Sequence, residues 1–124
     1  MFPFRRVCTI QAAAGVIWGL LLLVAPSLVL DTLLGMQNEP SGLLVGRFAG
    51  GMLFALGVVL SACRDVEDDA LRARIALGNA AVDLAVVGVL ATGLYTGLTS
   101  GFIGGMVCVF FAFSTLSWVA TRFS

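Results

Sequence analysis

Of 124 residues, 60% are hydrophobic and 11% charged, with a mean hydropathy of +1.06, whereas soluble domains carry roughly a quarter charged residues, so lipid is the natural solvent. Seven basic residues, all arginine, balance seven acidic ones, which leaves no electrostatic basis for binding nucleic acid. With no histidine, the chain lacks the usual axial haem ligand, the commonest metal ligand and the side chain that titrates near neutrality, so neither a metal nor a cofactor is expected.

A hydrocarbon core about 30 Å thick needs roughly 20 apolar residues per helical span. The chain opens with Arg5 and Arg6, and no charge occurs from Val7 to Leu30. That run is longer than the apolar region of a signal peptide and further spans follow it, so an uncleaved first helix over about 7–30 is expected. Pro26 falls late in the run, where it ends or kinks a helix, and Ser27 to Leu34 reads as an extra turn at the interface with Asp31 facing water. Gly35 to Ser41 (GMQNEPS) is a polar turn. The second span is expected over about 43–63 and contains one charge, Arg47, near its start.

Arg64 to Arg74 (RDVEDDALRAR) holds seven of the fourteen charged residues and is expected as a loop in water. Its carboxylates, Asp65, Glu67, Asp68 and Asp69, lack the ligand order and the central glycine of an EF-hand. They suit the start of the third helix better, with Asp68 and Asp69 at the positive end of its dipole. The third span, about 75–95, is interrupted by Asn79 and Asp83. From Leu84 to Thr121 no charge occurs, a run too long for one span and divided by the glycine-rich stretch Gly93 to Gly101. A fourth span follows over about 102–120, with Trp118, Arg122 and Phe123 expected as an aromatic and basic anchor at the interface.

The expected fold is all-α, a membrane-embedded four-helix transmembrane bundle in a single domain, 1–124. Continuous apolar runs without period-2 alternation exclude a β-barrel. Four spans put both termini and the charged loop on one side, together with Arg5, Arg6, Arg64, Arg72, Arg74 and Arg122, while Arg47 stands toward the other. The positive-inside rule then places the termini in the cytoplasm or its organellar equivalent. A bacterial inner membrane is the leading expectation and an organellar membrane the alternative. Cys8, Cys63 and Cys108 form no CxxC pair and are odd in number, which argues against a disulfide framework. Leu60 to Cys63 spells a lipoprotein cleavage box, but it follows two spans and is read as coincidence. Cys8 and Cys63, near one membrane face, suit small apolar packing, with acylation the alternative.

Two constellations are candidate sites. Arg47, Asn79 and Asp83 are polar residues inside spans, where ionisable groups are expensive and therefore functional candidates. They read either as a pocket for an ion, a proton or a ligand head group, or as a neutralised Arg47–Asp83 pair that fixes helix register, with Asn79 one turn before Asp83 on the same face. Small residues at four-residue spacing form the second constellation: Gly15 and Gly19; Gly42, Gly46 and Gly50; and Gly101 and Gly105, preceded by Gly93 and Gly97. Such rows allow close backbone approach, either within the bundle or against a partner helix. Serine, threonine and cysteine residues have no histidine or lysine to serve as base, so no enzyme and no catalytic residue is expected.

A first span ending near a proline, a short loop, and Gly46-Arg47-Phe48-Ala49-Gly50-Gly51 opening the second span together resemble the small four-helix integral membrane proteins of bacteria grouped as families of unknown function. The resemblance implies a four-helix bundle and no activity. The function expected is a non-catalytic integral membrane subunit or accessory protein, with other membrane protein subunits, copies of itself and membrane lipids as partners. The alternatives are a small oligomeric transporter or channel using Arg47, Asn79 and Asp83, and a protein that holds a lipid or other apolar ligand between its helices.

Overall fold

The computed structural model describes residues 3–33, 39–98 and 101–121. Helix α1 spans Phe4–Val24, α2 Pro40–Cys63, α3 Asp69–Tyr95 and α4 Gly101–Thr121, with a π-helical segment, Leu28–Leu33, between α1 and α2. No strand occurs among the described residues. At a rise of 1.5 Å per residue, α1 and α4 are about 31 Å long, α2 about 36 Å and α3 about 40 Å, each enough to cross a hydrocarbon core of about 30 Å. Helices α1, α2 and α3 are apolar enough to do so, and α4 continues the pattern with an apolar stretch over Gly105–Thr121. The chain is an all-α, helical membrane protein.

Local chemistry sets the helix ends. The first helix stops at Val24, not near 30, because Pro26 restrains the residue before it: Ala25 leaves the helical region at φ −135°, ψ 65°, its N–H still reaching Leu21 O at 2.8 Å. The chain then resumes as the π-helical segment, with Asp31 exposed. Pro40 opens α2 from a first-turn position that needs no N–H. Helix α3 starts six residues earlier than expected from apolarity alone, because the Asp68 carboxylate accepts the Leu71 N–H at 2.6 Å and caps the helix. The charged segment is therefore a turn over 64–68 followed by one and a half helical turns in water. At the far end Gly97, at φ +73°, terminates α3: its N–H bonds Leu94 O and the Leu98 N–H bonds Gly93 O. Gly93 itself lies within the helix. Residues 35–38 of the expected first turn and 99–100 of the second lie outside the described residues.

The helices associate as two pairs. Helix α1 packs along α2, α3 packs along α4, and the pairs join chiefly through α1 and α4. The core sits at the end near the charged turn, where Phe4, Val7, Cys8 and Ala12 of α1 meet Leu60 of α2, Ala76 and Ala80 of α3 and Trp118 of α4. Trp118 is only 1% exposed and meets the Phe4 ring edge-on, centroids 6.2 Å apart. This corrects the reading of Trp118 as an interface anchor: an indole at that helix position faces the other pair of helices, not the head groups. Arg122 and Phe123 lie outside the described residues. The Arg72 guanidinium also meets Phe4, 5.7 Å from its ring centroid; it donates Nε to Val66 O at 2.6 Å and lies 3.6 Å from Asp69. Cys8 is fully buried, which suits packing and leaves no access for an acyl group.

Gly19 marks the closest approach of α1 and α2: a Cβ there would lie 2.5 Å from Phe54 N and 2.8 Å from Gly50 O, both fixed backbone. Gly19→Val is accordingly expected to cost about 1–3 kcal/mol or more by overpacking and to lower the melting temperature in detergent. Gly78→Ala, where nothing lies within 4 Å, is expected to leave melting unchanged or raise it slightly through helix propensity.

Candidate intramembrane polar site

Helix α3 carries Asp83 fourteen residues from its start, about 13 Å beyond Arg74, the last of its water-facing charges. At that depth a carboxylate without partners is costly, and Asp83 is buried. Its partner comes from α4: the Ser114 hydroxyl donates to Asp83 Oδ2. Ser114 in turn accepts from Gln11 Nε2 of α1. A hydroxyl can accept and donate at once, so one serine links an amide and a carboxylate on two other helices. Ser117, also buried, turns its hydroxyl back to Ser114 O at 2.7 Å. The result is a directed chain, Gln11 to Ser114 to Asp83, that ties three helices together just inside the apolar core.

The residues picked from sequence fall in different places. Asp83 is at the centre of the chain. Asn79 lies one turn earlier and half-buried, but its Nδ2 donates to Ile75 O at 2.9 Å within its own helix. Arg47 is exposed on α2, and among the described residues it has no ion pair or hydrogen bond; it does not meet Asp83. The physical reason is the pairing of the helices: α2 lies against α1, with no substantial contact to α3. Gln11 and Ser114 escaped the sequence reading. The available signal was that Gln11 is the one amide side chain in the first apolar run, so it must find a partner or stay unsatisfied in lipid.

The candidate glycines also divide. A Cβ on Gly15 would touch Gly57 and Leu53 O at 3.1 Å, one on Gly50 would stand 2.8 Å from Gly19 O, and one on Gly46 would meet the Leu30 side chain at 2.7 Å. Gly57, which the four-residue spacing missed, belongs with them, 2.8 Å from Ala12 O and Val16 N by the same measure. Gly42 is half-buried in the first turn of α2. Gly105 has nothing within 4 Å. Gly101 begins α4, in a turn whose surroundings lie outside the described residues.

The acidic turn is engaged differently from a cation site. Asp65 bridges Arg5 and Arg64 at 3.3 Å each, Asp68 caps α3 and Asp69 faces Arg72. Among the described residues no group of three or more histidine, cysteine or acidic side chains converges. Chemically, the Gln11–Ser114–Asp83 chain can fix helix register or hold a proton at the carboxylate. Compared with known protein families, with curated proteins and with solved structures, the chain matches none.

Because both links pass through one hydroxyl, Ser114→Ala and Gln11→Leu are each expected to cost about 0.5–2 kcal/mol, the range for hydrogen bonds between membrane helices. The two are not additive: once Ser114 is alanine, Gln11→Leu costs little. Unfolding of the four chains in detergent as a double-mutant cycle checks this; full additivity would mean that the amide and the hydroxyl act separately.

Proposed function

We propose that the chain is a non-catalytic, membrane-embedded subunit or accessory protein that works by packing against other membrane proteins, or further copies of itself, and the surrounding lipid. The observation that carries this reading is the position of Arg47. It stands about 10 Å into α2, among exposed Leu44, Val45 and Phe48, without an ionic partner among the described residues. A charge within a span is expensive unless it is paired or reaches the interface. Arg47 faces outward, so a neighbouring chain or a lipid head group at the interface is the partner this reading assigns to it. In support, no more than 28% of the most apolar window of α1, α2 or α3 is buried within the chain, which leaves most of each span to neighbours.

Gentle solubilisation followed by cross-linking and mass spectrometry tests the proposal. Stoichiometric companion chains or self-association are expected. Arg47→Leu is expected to reduce their recovery several-fold, while Arg47→Lys, which keeps the charge, retains most of it. Recovery of the wild-type chain solely as a monomer would sink the reading.

The orientation proposed is both termini and the 64–68 turn in the cytoplasm, supported by five of the six described arginines lying at that end. In intact cells, a cysteine introduced for Glu67 is expected to react with a membrane-impermeant maleimide only after lysis, and one introduced for Ser41 before it. The opposite pattern would invert the topology.

A second reading, a small oligomeric transporter, is favoured by the buried Asp83 and its bonds to Ser114 and through it to Gln11. It requires that Asp83→Asn abolish ion or solute flux in proteoliposomes while leaving melting near that of the wild type. Flux retained by that variant would count against it.

A further inference from the structure

We propose that the crevice between α1 and the end of α2 near the charged turn binds an anionic phospholipid, its phosphate on Arg64 and an acyl chain in the groove below. The proposal deepens the partner reading by naming a lipid class and its site, and it rests on membrane embedding alone. The groove, more open than enclosed, offers about 390 Å³, within the size range of about 300–1,000 Å³ typical of clefts that hold small molecules. Its walls are Ala12, Ala13, Val16 and Ile17 of α1, and its polar end is formed by Thr9 and Arg64, with Ser61 beside them. From Thr9 to Ile17 it follows α1 for about 12 Å into the apolar core.

The crevice follows from local sequence. Ala12 and Ala13 project only methyl groups, and Gly57 draws α2 so close that the helices touch backbone to backbone beside it. The flank of that contact is left unfilled by any side chain. One end of the hollow is apolar and the other cationic, which is the chemistry of a phospholipid and not of a soluble anion or a purely apolar ligand.

The charge at the mouth decides which lipid. Asp65 lies between Arg5 and Arg64, each held at 3.3 Å through Nε. The two positive charges and one negative leave a net positive charge, and the terminal nitrogens of Arg64 have no further partner among the described residues. A guanidinium presents those nitrogens as a fork that matches two phosphate oxygens. Basic pockets between membrane helices select anionic head groups in this way. Arg72, by contrast, is consumed by Val66 O, Asp69 and the Phe4 ring, and Arg74, exposed on α3, lies away from the groove.

The test uses the full chain in nanodiscs of phosphatidylglycerol and phosphatidylcholine in equal amounts, with the lipids retained on release counted by native mass spectrometry. Phosphatidylglycerol is expected to be retained in preference. Arg64→Gln should lower that retention at least about five-fold, the factor that one charge near a membrane surface is worth, and by clearly more than Arg74→Gln, which removes the same charge away from the groove. Ala13→Leu keeps every charge but fills the groove, and should lower retention by a similar factor. Ala13 and Arg64 are both exposed, so melting close to that of the wild type is expected of each variant and is checked first. Equal retention by the wild type and Arg64→Gln would overturn the proposal. So would undiminished retention by Ala13→Leu, since attraction to a basic surface would then suffice. A chain that selects phosphatidylglycerol but has no companions removes the partner reading and leaves this one; companions without lipid selection do the reverse.

Discussion

The backbones of α1 and α2 touch at Gly19, where a Cβ would lie 2.5 Å from Phe54 N, and again at Gly57, where one would lie 2.8 Å from Ala12 O. In lipid, two helices gain nothing by exchanging acyl tails for leucine side chains, so such close approach is among the few forces that hold them together. With two contacts along the same pair, neither sliding nor rotation is free, and the register of the pair is set. That register brings Cys8 and Leu60 into one core and sets Asp65 beside Arg5. It also leaves Gln11 facing α4, so the polar chain across three helices depends on the glycines of a pair that contributes only one of its members.

The second pair is held by different means. Ala76 and Ala80 are buried in the core, but no glycine of α3 or α4 with described surroundings has a neighbour within 4 Å of its missing Cβ. A polar contact replaces backbone proximity, Ser114 with Asp83 inside the core, and both helices are tied to α1 through Phe4, whose ring meets Trp118 edge-on and has the Arg72 guanidinium 5.7 Å from its centroid. The cation over the ring contributes about 0.5–2 kcal/mol depending on how dry the site is, whereas the exposed Asp65 bridges contribute about 1 kcal/mol or less each. All buried residues of α3 fall in its first fifteen, and the described buried residues of α4 fall in its last eight. Among the described residues, α3 and α4 are therefore packed chiefly at the charged end, whereas α1 and the segment after it stay against α2 toward the other, where a Cβ on Gly46 would meet Leu30.

This asymmetry organises the functional readings. At the charged end lie the arginines, the core and the groove whose apolar walls end at Arg64. Just inside it lies the Asp83 chain, its partners satisfied within the fold. Toward the other end, Arg47 faces outward among Leu44, Val45 and Phe48. The carboxylate is satisfied inside the fold and the arginine faces outward, which is why the proposed partner reading rests on Arg47 and not on Asp83.

Hydropathy alone determined that the chain is helical and membrane-embedded, because an uninterrupted apolar run in lipid must satisfy its backbone internally. Local chemistry was legible too: Pro26 ended the first helix, and Asp68 at the positive end of α3 announced its start. The partners of the polar residues were not legible. Sequence spacing put Arg47, Asn79 and Asp83 in spans and allowed Arg47 to reach Asp83, but said nothing of which helices touch. That Gln11 and Ser114 meet Asp83, that Trp118 is core and that Gly57 joins the contact while Gly105 does not were decided by tertiary structure alone. The reason is physical. Burial in lipid is signalled by each helix on its own, whereas a hydrogen bond or a backbone contact between helices depends on the rotation and depth of both.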